Sequence, residues 1–475
     1  MLDEQHNEAS SEAISRRLAE VMAATTFDDL PPAVIEDTLR SVLDWLGSAL
    51  AGSVEPPARM AQAVVASLGV SDEAAVLGAG RASAPGAALA NGVASHILEL
   101  DDVHKGSTMH PAAPIIPAAL AVAERERADG RAFLRAVALG YEAGLRVGEA
   151  VNPSHYRYWH PTGTAATFGA AVAAGSLLGL DAAQMLDALG TAGTQAAGLW
   201  EFNADGAMSK HLHPGKAAFN GVLAADLARL GFTGATRILE GERGFFRATT
   251  AGYDASRVTY GLGSHWKISE NCYKLYSCCG HTHTAIDSAL DLRASQAWQG
   301  TEALDRVAAV EIGTYGPGYE IVREMNPRTP YQAKFSLAYV VAAALLEGWV
   351  GLAQFDESRF GPAGVREPAI AALLGRTTVT VDPLLTAMYP AAWPARLRLR
   401  LTDGTTLEAG GDYPRGNPEN PVSTEALEDK FASLVTPRLG ADVTRRALAL
   451  VRRLPEIPDM RAVVANLTQS EESGA

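Results

Sequence analysis

Residues 307–314 read VAAVEIGT, and this stretch decides the fold because it is the first clear strand pattern in a chain that is helical before it. Its apolar residues alternate with small or polar ones, which is the period of a half-buried strand. Residues 377–381 and 396–401 also favour strands, and the Asp-Gly pair at 403–404, followed by residues 405–408, predicts a hairpin. We therefore expect a module that mixes strands with helices.

The rest of the chain predicts helices. Apolar residues recur at helical spacing from about residue 12 to residue 250, and the run TEALEDKFASLV returns to helix near the C-terminus. This order predicts a mainly α protein, with a large all-helical domain built from both chain ends and a smaller α+β domain that can move relative to the helical body. The predicted bounds are residues 1–269 and 416–475 for the all-helical domain and residues 270–415 for the α+β domain.

The composition narrows the class of protein. The formal net charge of −14 argues against a nucleic-acid partner, because phosphate binding needs a basic surface. The three cysteines, Cys272, Cys278 and Cys279, lie within eight residues of one another, which is typical of a reducing compartment. No stretch is apolar enough to predict a signal region or a membrane span. We therefore expect a cytoplasmic protein without a membrane partner.

Histidines are the most informative residues for function. Ten of the eleven lie between positions 96 and 283, nine of these ten form four short clusters, and three of the clusters also contain acids or lysines. Imidazole titrates near neutral pH, so such clusters favour proton transfer or anion binding and predict an enzyme. No GxGxxG follows a strand, and there is no P-loop and no GxSxG elbow, which disfavours dinucleotide, nucleotide and serine-hydrolase chemistry.

The first cluster combines carboxylates with imidazoles, and its members are His96, Glu99, Asp101, Asp102, His104 and His110. It predicts a loop after a helix whose side chains transfer protons. Helix capping is the simpler alternative, but three acids and three histidines exceed what a cap needs. A metal site is a third alternative, although the spacing lacks a ligand pattern such as HExxH.

The second and third clusters each precede a predicted helix. His160 and Thr162 lie before a helix of small residues, whose N-terminal N–H groups would suit a carboxylate. Lys210 lies in a predicted loop before a helix expected over 214–230, with His213 close by. A lysine there can bind a carboxylate or act as a base. The alternatives are a capping threonine and a solvated lysine.

The fourth cluster reads KLYSCCGHTH from Lys274 and includes Cys279 and His281. Cysteine next to histidine is compatible with zinc, but the spacing lacks CxxC and no second cysteine pair exists. Structural zinc is therefore disfavoured. We predict instead a loop whose lysine, cysteine and histidine face a substrate.

The motifs ELDDVHKGSTMHP, WHPTGT, MSKHLHPGKAA and KLYSCCGHTH resemble those of the MmgE/PrpD family, which includes 2-methylcitrate dehydratase, cis-aconitate decarboxylase and iminodisuccinate epimerase. The resemblance covers residues 20–465. It implies a large helical domain, a smaller α+β lid domain and usually a homodimer. It also implies an active site between domain and lid that needs no metal and no cofactor.

The resemblance also implies which residues act. The catalytic candidates are Glu99, Asp102, His110, His160, Lys210 and Lys274. The four clusters themselves add candidates for substrate binding, which are His104, Thr162, His213, Cys279 and His281. The chain departs from the family pattern at Glu99, where the family has Asp, and at Val103, where it has a threonine. Cys279 stands where the decarboxylases have a histidine, which is nearer the dehydratase branch.

These residues predict a cofactor-independent lyase, most simply a dehydratase, that acts on a small di- or tricarboxylate. The two lysines would hold carboxylates, and a histidine would remove a proton beside one of them. An epimerase or a decarboxylase could use the same pocket. A non-catalytic carboxylate-binding protein and a metal-dependent hydrolase are the remaining alternatives, the hydrolase resting on Asp101, Asp102, His104 and His110.

Three expectations follow for the purified protein. It should contain no stoichiometric zinc or iron. Replacing Lys210 or Lys274 should leave the fold intact, because a lysine in a loop contributes little to a core. Replacing Lys267, which lies outside the motifs, should have almost no effect.

Overall fold

The computed structural model describes residues 14–468 and divides into two compact units. Within the described residues, the large unit holds residues 14–97, Asp101–Asn271 and 423–468, whereas the small unit holds Leu98–Leu100 and Cys272–Val422. The large unit is helical apart from one very short hairpin, and the small unit carries a four-stranded sheet. The predicted fold class, a large helical domain with a smaller α+β domain, is therefore confirmed.

The large unit contains most of the helices. They are α1 (Ile14–Ala24), α2 (Pro32–Gly52), α3 (Pro56–Ser67), α4 (Ala84–His96), α5 (Ala112–Glu126), α6 (Gly130–Val151), α7 (Ala165–Leu177), α8 (Ala182–Gly193), α9 (Phe202–Asp205), α10 (Ser209–Arg229), α11 (Phe245–Thr249) and α12 (Ser256–Thr259). The short hairpin is β1 (Ala74–Ala75) with β2 (Arg81–Ala82). No helix among the described residues is long and apolar enough to cross a membrane.

The small unit alternates helices with strands. Its helices are α13 (His283–Ser295), α14 (Glu302–Asp305), α15 (Gly316–Val322), α16 (Pro330–Lys334), α17 (Leu337–Glu347), α18 (Pro368–Leu374) and α19 (Pro383–Met388). Its strands are β3 (Val307–Thr314), β4 (Phe360–Gly361), β5 (Gly364–Val365), β6 (Thr377–Val381), β7 (Ala395–Leu401) and β8 (Thr406–Gly411). The C-terminal helices α20 (Thr424–Arg452), which is broken at Gly440, and α21 (Arg461–Thr468) belong to the large unit.

The four-stranded sheet has the order β6-β3-β7-β8, with β3 and β6 parallel and the other pairs antiparallel. Strand β7 alternates strictly, so that Leu397 and Leu399 are buried while Arg398 is exposed. This alternation places the apolar face against the core of the unit. The predicted hairpin is confirmed, because Gly404 adopts a φ of 89° between β7 and β8.

The C-terminal helices return to the large unit through specific contacts. The Lys430 ammonium lies 2.6 Å from the Asp44 carboxylate of α2, and both side chains are buried. The Gly130 N–H donates to the Ile457 carbonyl at 2.8 Å. The two ends of the chain, which were predicted to form one domain, are thus joined by an ion pair and a hydrogen bond as well as by apolar contacts.

Helix α10 differs from the sequence prediction. A helix was expected to begin near Pro214 after a loop containing Lys210, but α10 begins at Ser209 and contains both residues. A proline ring removes one backbone donor and often ends a helix. Here the buried packing of α10 keeps the helix continuous through Pro214. The prediction that Lys210 lies in a loop was therefore wrong, whereas the end of the helix before Gly231 was predicted correctly.

Helices α4 and α10 cross at two glycines. A Cβ atom added at Gly92 would lie 2.7 Å from the Gly215 Cα, a distance that real Cβ contacts do not reach. The crossing matters for the site because α4 ends at His96 and α10 carries Lys210. Small residues at this position allow the two backbones to approach.

We expect Gly92→Ala to lower the free energy of unfolding by about 1–3 kcal/mol, because the added methyl group must displace backbone rather than a flexible side chain. Chemical denaturation measures the change. Gly80→Ala is the matched control, since an added Cβ there meets nothing within 4 Å. Equal stability of the two variants would contradict the close crossing.

Candidate functional site

Three histidines from separate parts of the first two clusters meet in the large unit. His96 is the last residue of α4, His110 lies just before α5, and His160 precedes α7. Their ring centroids are 4.9 Å apart for His96–His110, 5.6 Å for His96–His160 and 6.3 Å for His110–His160. One ring nitrogen of each lies within 4.8 Å of one ring nitrogen of the other two. We call these three residues the histidine cluster.

Asp101 orients His96. Its Oδ2 lies 2.6 Å from the His96 Nδ1, and both side chains are fully buried. Because a carboxylate accepts, Nδ1 carries the proton and Nε2 carries the lone pair in the neutral ring. The His96 Nε2 is buried and has no hydrogen-bond partner among residues 14–468. A buried nitrogen in this state is unusual and points to a role in binding or chemistry.

The backbone orients His110. Its Nδ1 lies 2.6 Å from the Asp102 carbonyl oxygen and 3.6 Å from the Asp101 Oδ2. A carbonyl can only accept, so Nδ1 is the donor and Nε2 is the basic nitrogen of the neutral ring. The His110 side chain is 13% exposed, whereas His96 and His160 are buried. His110 is therefore the member of the histidine cluster that a small molecule can reach most readily.

His160 pairs with His213 of α10. Their Nδ1 atoms are 3.0 Å apart, so one ring donates and the other accepts. Burial, followed by the charge of His213, holds the pKa of His160 well below its usual range, and burial lowers the pKa of His213 to about 4. Trp200 and Phe202 pack against the His160 ring. The pair is thus neutral at pH 7 and shares a single proton between the two Nδ1 atoms.

Lys210 brings a positive charge to this region. It is buried on α10, and its charge is one of the causes that lower the pKa values of His160 and His213. The neighbouring His211 ring lies 6.3 Å from the His96 ring. The predicted residues His110, His160, Lys210 and His213 thus lie in one region of the large unit.

The Asp102 carboxylate is held by hydrogen bonds within the protein, whereas a catalytic acid is expected to face the substrate. The buried carboxylate accepts hydrogen bonds from the Tyr141 hydroxyl at 2.7 Å, the Asn271 amide at 2.7 Å and the Ala112 N–H at 3.0 Å. Burial raises the pKa of Asp102 to about 7, and the Tyr141 hydroxyl acts in the opposite direction. With its carboxylate held by three donors and its carbonyl bound to His110, Asp102 positions the loop.

We expect Tyr141→Phe to lower the free energy of unfolding by about 1.5–3 kcal/mol, because it removes one donor from the buried Asp102 carboxyl group. The free energy of unfolding is measured by chemical denaturation. Tyr260→Phe is the control, since Tyr260 is 81% exposed. A Tyr141→Phe variant as stable as the parent would mean that this hydrogen bond does not hold the loop.

The Thr162 side chain contacts the backbone of one member of the histidine cluster, His110. Its hydroxyl accepts the His110 N–H at 3.0 Å. The N–H groups of Gly163 and Thr164 bond to the His160 carbonyl, and the Ala166 N–H bonds to the Pro161 carbonyl. The sequence prediction placed a helix start here with N–H groups for a carboxylate, but residues 161–164 form a turn that uses these three groups itself.

His104 lies in a second group of charged residues. Its Nε2 is 3.3 Å from Glu270 and 3.6 Å from Glu149, and the Lys267 ammonium is 3.1 Å from Glu149 and 3.0 Å from Glu270. His104 is therefore not a member of the histidine cluster. The Lys267 side chain is largely buried between two carboxylates, so Lys267 is a poor choice for the inert control that the sequence suggested.

The remaining predicted residues belong to the small unit. The Lys274 ammonium lies 3.4 Å from the Glu99 carboxylate, and both side chains are buried. Glu99 has a φ of 59°, a left-handed conformation that costs a non-glycine residue energy and is often found at functional sites. Cys279 is half-buried, and its N–H donates to the Lys334 carbonyl.

His281 is held among aromatic groups of the small unit. Its Nδ1 lies 2.5 Å from the Tyr315 hydroxyl, and the Trp393 ring centroid is 4.4 Å away. Burial, followed by the charge of Lys274, lowers the pKa of His281 to about 3. His281 is therefore neutral at physiological pH and suited to hydrogen bonding rather than to ion pairing.

In the structure, the contacts or burial of Asp101, His96 and Tyr331 suggest a role that the sequence analysis did not assign to them individually. Asp101 and His96 were seen only as parts of a cluster, and their separation by five residues across a helix end could have suggested the pair. Tyr331 carries a buried hydroxyl without a hydrogen-bond partner among the described residues. Burial and the charges of Glu99 and Cys279 raise the pKa of Tyr331. No local sequence pattern marks this tyrosine.

The fold agrees with the comparison to known families. The model of the MmgE/PrpD N-terminal domain matches residues 16–258, and that of the MmgE/PrpD C-terminal domain matches residues 276–456. The chain belongs to the MmgE/PrpD family.

Several curated relatives are enzymes. The chain is 29% identical over 433 residues to the cis-aconitate decarboxylase of Aspergillus terreus, with 86% of each chain covered. It is 28% identical to the human cis-aconitate decarboxylase, over 94% of this chain and 93% of the relative. The 2-methylcitrate dehydratase of Cupriavidus necator is 30% identical over 171 residues, which cover 33% of this chain and 34% of the relative. These relatives support an enzymatic role.

Proposed function

We propose that this protein is a lyase that acts on a small tricarboxylate by moving a proton at a carbon next to a carboxylate, without a cofactor. The observation that carries the proposal is the histidine cluster, in which hydrogen bonds hold the Nδ1 atoms of His96, His110 and His160. Each ring is thereby fixed in orientation, which general acid–base catalysis requires. The relatives named above support the class of substrate.

His110 is the proposed proton-transfer residue. Its Nδ1 proton is committed to the Asp102 carbonyl, so Nε2 can take or give a proton without a change of tautomer at Nδ1. Lys210 supplies positive charge in the same region. A substrate carboxylate near this ammonium would stabilise the negative charge that develops when a carbon loses a proton or carbon dioxide.

Decarboxylation and dehydration differ in how they use the same groups. In decarboxylation the C–C bond breaks, carbon dioxide leaves, and the electron pair left on carbon takes a proton from a histidine. In dehydration a base removes a proton from carbon, and a second group protonates the leaving hydroxyl. The neutral pair of His160 and His213 is a candidate for that second group.

We favour decarboxylation of a cis-aconitate-like substrate, because the two decarboxylases are matched over most of the chain whereas the dehydratase is matched over a third. Dehydration of a 2-methylcitrate-like substrate is the second candidate. It is favoured by Cys279, which stands where the family resemblance places a histidine in decarboxylases. Epimerisation is the remaining use of such a pocket.

Lys274, Glu99 and His281 are proposed to serve the same reaction from the small unit. The proposal rests on the family resemblance, on the buried ion pair of Lys274 with Glu99 and on the burial of His281. We also propose that the protein is a cytoplasmic homodimer. Multi-angle light scattering of the purified protein, which measures its molar mass in solution, would test the dimer.

The reaction is tested by incubating the full-length protein in deuterated buffer with cis-aconitate, 2-methylcitrate, citrate or iminodisuccinate. Proton NMR follows new alkene signals and deuterium at carbon, and a coupled assay follows carbon dioxide. Carbon dioxide from cis-aconitate identifies a decarboxylase, and an alkene formed from 2-methylcitrate or citrate without carbon dioxide identifies a dehydratase. Absence of both conversion and deuterium exchange with all four compounds would contradict the proposal.

A further inference from the structure

The hydroxyl group of Tyr331 in the small unit is a buried hydrogen-bond donor with no acceptor in the part of the chain that the structure describes. Its oxygen is inaccessible to solvent and has no hydrogen-bond partner among residues 14–468. A buried polar atom without a partner costs free energy, and the large majority of buried polar side-chain atoms in proteins have one. A bound molecule that supplies an acceptor is therefore favoured at this hydroxyl.

Three contacts fix the position of Tyr331. It lies on α16, and its ring stacks on that of Phe335 with the ring centroids 4.9 Å apart. At the end of α16, the Lys334 carbonyl accepts the Cys279 N–H at 3.0 Å, and the Lys334 ammonium donates to the Leu98 carbonyl at 3.0 Å. Helix α16 is thereby joined to the two segments of the small unit that hold the other proposed site residues.

The surroundings of the Tyr331 hydroxyl keep it protonated. Burial, followed by the charges of Glu99 and Cys279, raises the pKa of Tyr331. The phenol is therefore neutral at pH 7 and can donate one hydrogen bond. A phenol whose pKa lies far above the working pH is a poor proton-transfer group, so its use is to hold an oxygen atom of a ligand.

Two ammonium groups of the small unit offset the negative charge of Glu99. The Lys274 ammonium lies 3.4 Å from the Glu99 carboxylate, and the Lys334 ammonium binds the carbonyl of Leu98, the residue before Glu99. Lys334 also follows Tyr331 by three residues on α16, a spacing that places both side chains on one face of a helix. A carboxylate that approaches the Tyr331 hydroxyl therefore meets no excess of negative charge from these groups.

We propose that the Tyr331 hydroxyl donates a hydrogen bond to a carboxylate oxygen of the substrate, which makes Tyr331 a further substrate-binding residue of the small unit. The proposal rests on the proposed function, because that function supplies the carboxylate. A hydrogen bond to an ionised acceptor is stronger than one between neutral groups, and its direction orients the carboxylate. An ordered water molecule is the alternative acceptor, and the two acceptors differ in what loss of the hydroxyl does to substrate binding.

Tyr331→Phe tests the proposal, since it removes only the hydroxyl and keeps the ring that stacks on Phe335. The probe is tricarballylate, a tricarboxylate with neither a hydroxyl nor an alkene to react. We expect its affinity, measured by isothermal titration calorimetry on the full-length protein, to fall about 10- to 150-fold, the effect of one hydrogen bond to a charged group. The value of kcat/KM for a converted substrate should fall by a similar factor.

The stability of Tyr331→Phe should move in the opposite direction from that of an ordinary buried tyrosine. The denaturant midpoint without ligand is expected to be unchanged or higher, because the variant loses a buried hydroxyl that has no partner. Tyr339→Phe is the matched control, since Tyr339 is buried in the same unit and its hydroxyl donates to the Gln354 carbonyl. This control should lower the midpoint and leave the affinity for tricarballylate at the parent value.

Each other result contradicts the proposal in a different way. Parent values of affinity and kcat/KM in Tyr331→Phe would mean that the hydroxyl binds water, and the proposed function would still stand. A lower midpoint with parent affinity would mean that the hydroxyl has a partner within the protein. If the parent protein neither binds tricarballylate nor converts any of the four test compounds, the proposal fails together with the proposed function. If a compound is converted but tricarballylate does not bind, kcat/KM of Tyr331→Phe decides.

Discussion

His110→Asn is expected to reduce kcat/KM for the proposed tricarboxylate substrate by about 10²- to 10⁴-fold, the range that a positioned general acid or base contributes. The asparagine amide can still donate to the Asp102 carbonyl, as the His110 Nδ1 does at 2.6 Å. The variant therefore removes the basic nitrogen while it preserves the contact that shapes the loop. Steady-state rates with the substrate identified by NMR measure the effect.

The control for this prediction is His265→Asn, which changes an exposed histidine outside the histidine cluster. Circular dichroism and the free energy of unfolding should be close to the parent values in both variants. If His110→Asn retained a rate within a few-fold of the parent, proton transfer would have to be assigned to another residue. His160, which is buried against His213, would then be the next to examine.

Lys274→Met is expected to destabilise the protein by about 3–5 kcal/mol, because it leaves the Glu99 carboxylate buried without its ammonium partner. The buried ion pair therefore leads to a different prediction from the sequence, which suggested that replacing Lys274 leaves the fold intact. The double variant Lys274→Met with Glu99→Gln should recover most of the stability, since neither charge then remains. Chemical denaturation of the two single variants and the double variant measures the coupling.

The loss of catalytic efficiency in the double variant separates folding from function. If Lys274 binds a substrate carboxylate, the folded double variant should have a kcat/KM about 10- to 150-fold below that of the Glu99→Gln single variant, which corresponds to one charge-assisted hydrogen bond. Arg328→Ala, which removes an exposed cation from the same unit, is the control. A double variant that is stable and fully active would show that the pair is structural only.

Elements with a clean local pattern could be predicted from the sequence. Strands β3 and β6 were predicted at their observed bounds, because alternation of apolar and polar residues is a local property. The start of α10 was missed because Pro214 resembled a helix start, and only the surrounding packing decides that the helix continues through it. Burial of a charged side chain such as Lys274 likewise depends on the tertiary fold.

The sequence could predict which residues the candidate site contains, but not the hydrogen bonds between them. The clustering of histidines indicated residues of which several lie close together in the structure, but the partners of each ring depend on distances across the fold. The sequence could not show that Asp101 rather than Asp102 binds His96, or that Asp102 holds the loop through Tyr141. Tyr331 was missed for the same reason, because its neighbours Glu99 and Cys279 are distant in sequence.

The three residues Leu98–Leu100 restrict how this protein can be divided into separately expressed domains. They are grouped with the small unit although the residues on both sides belong to the large unit, and Glu99 within them is the partner of Lys274. A recombinant fragment of residues 272–422 would therefore inherit the lysine without its acid. Exchange of the small unit between relatives, by evolution or by design, has to carry this distant tripeptide along with it.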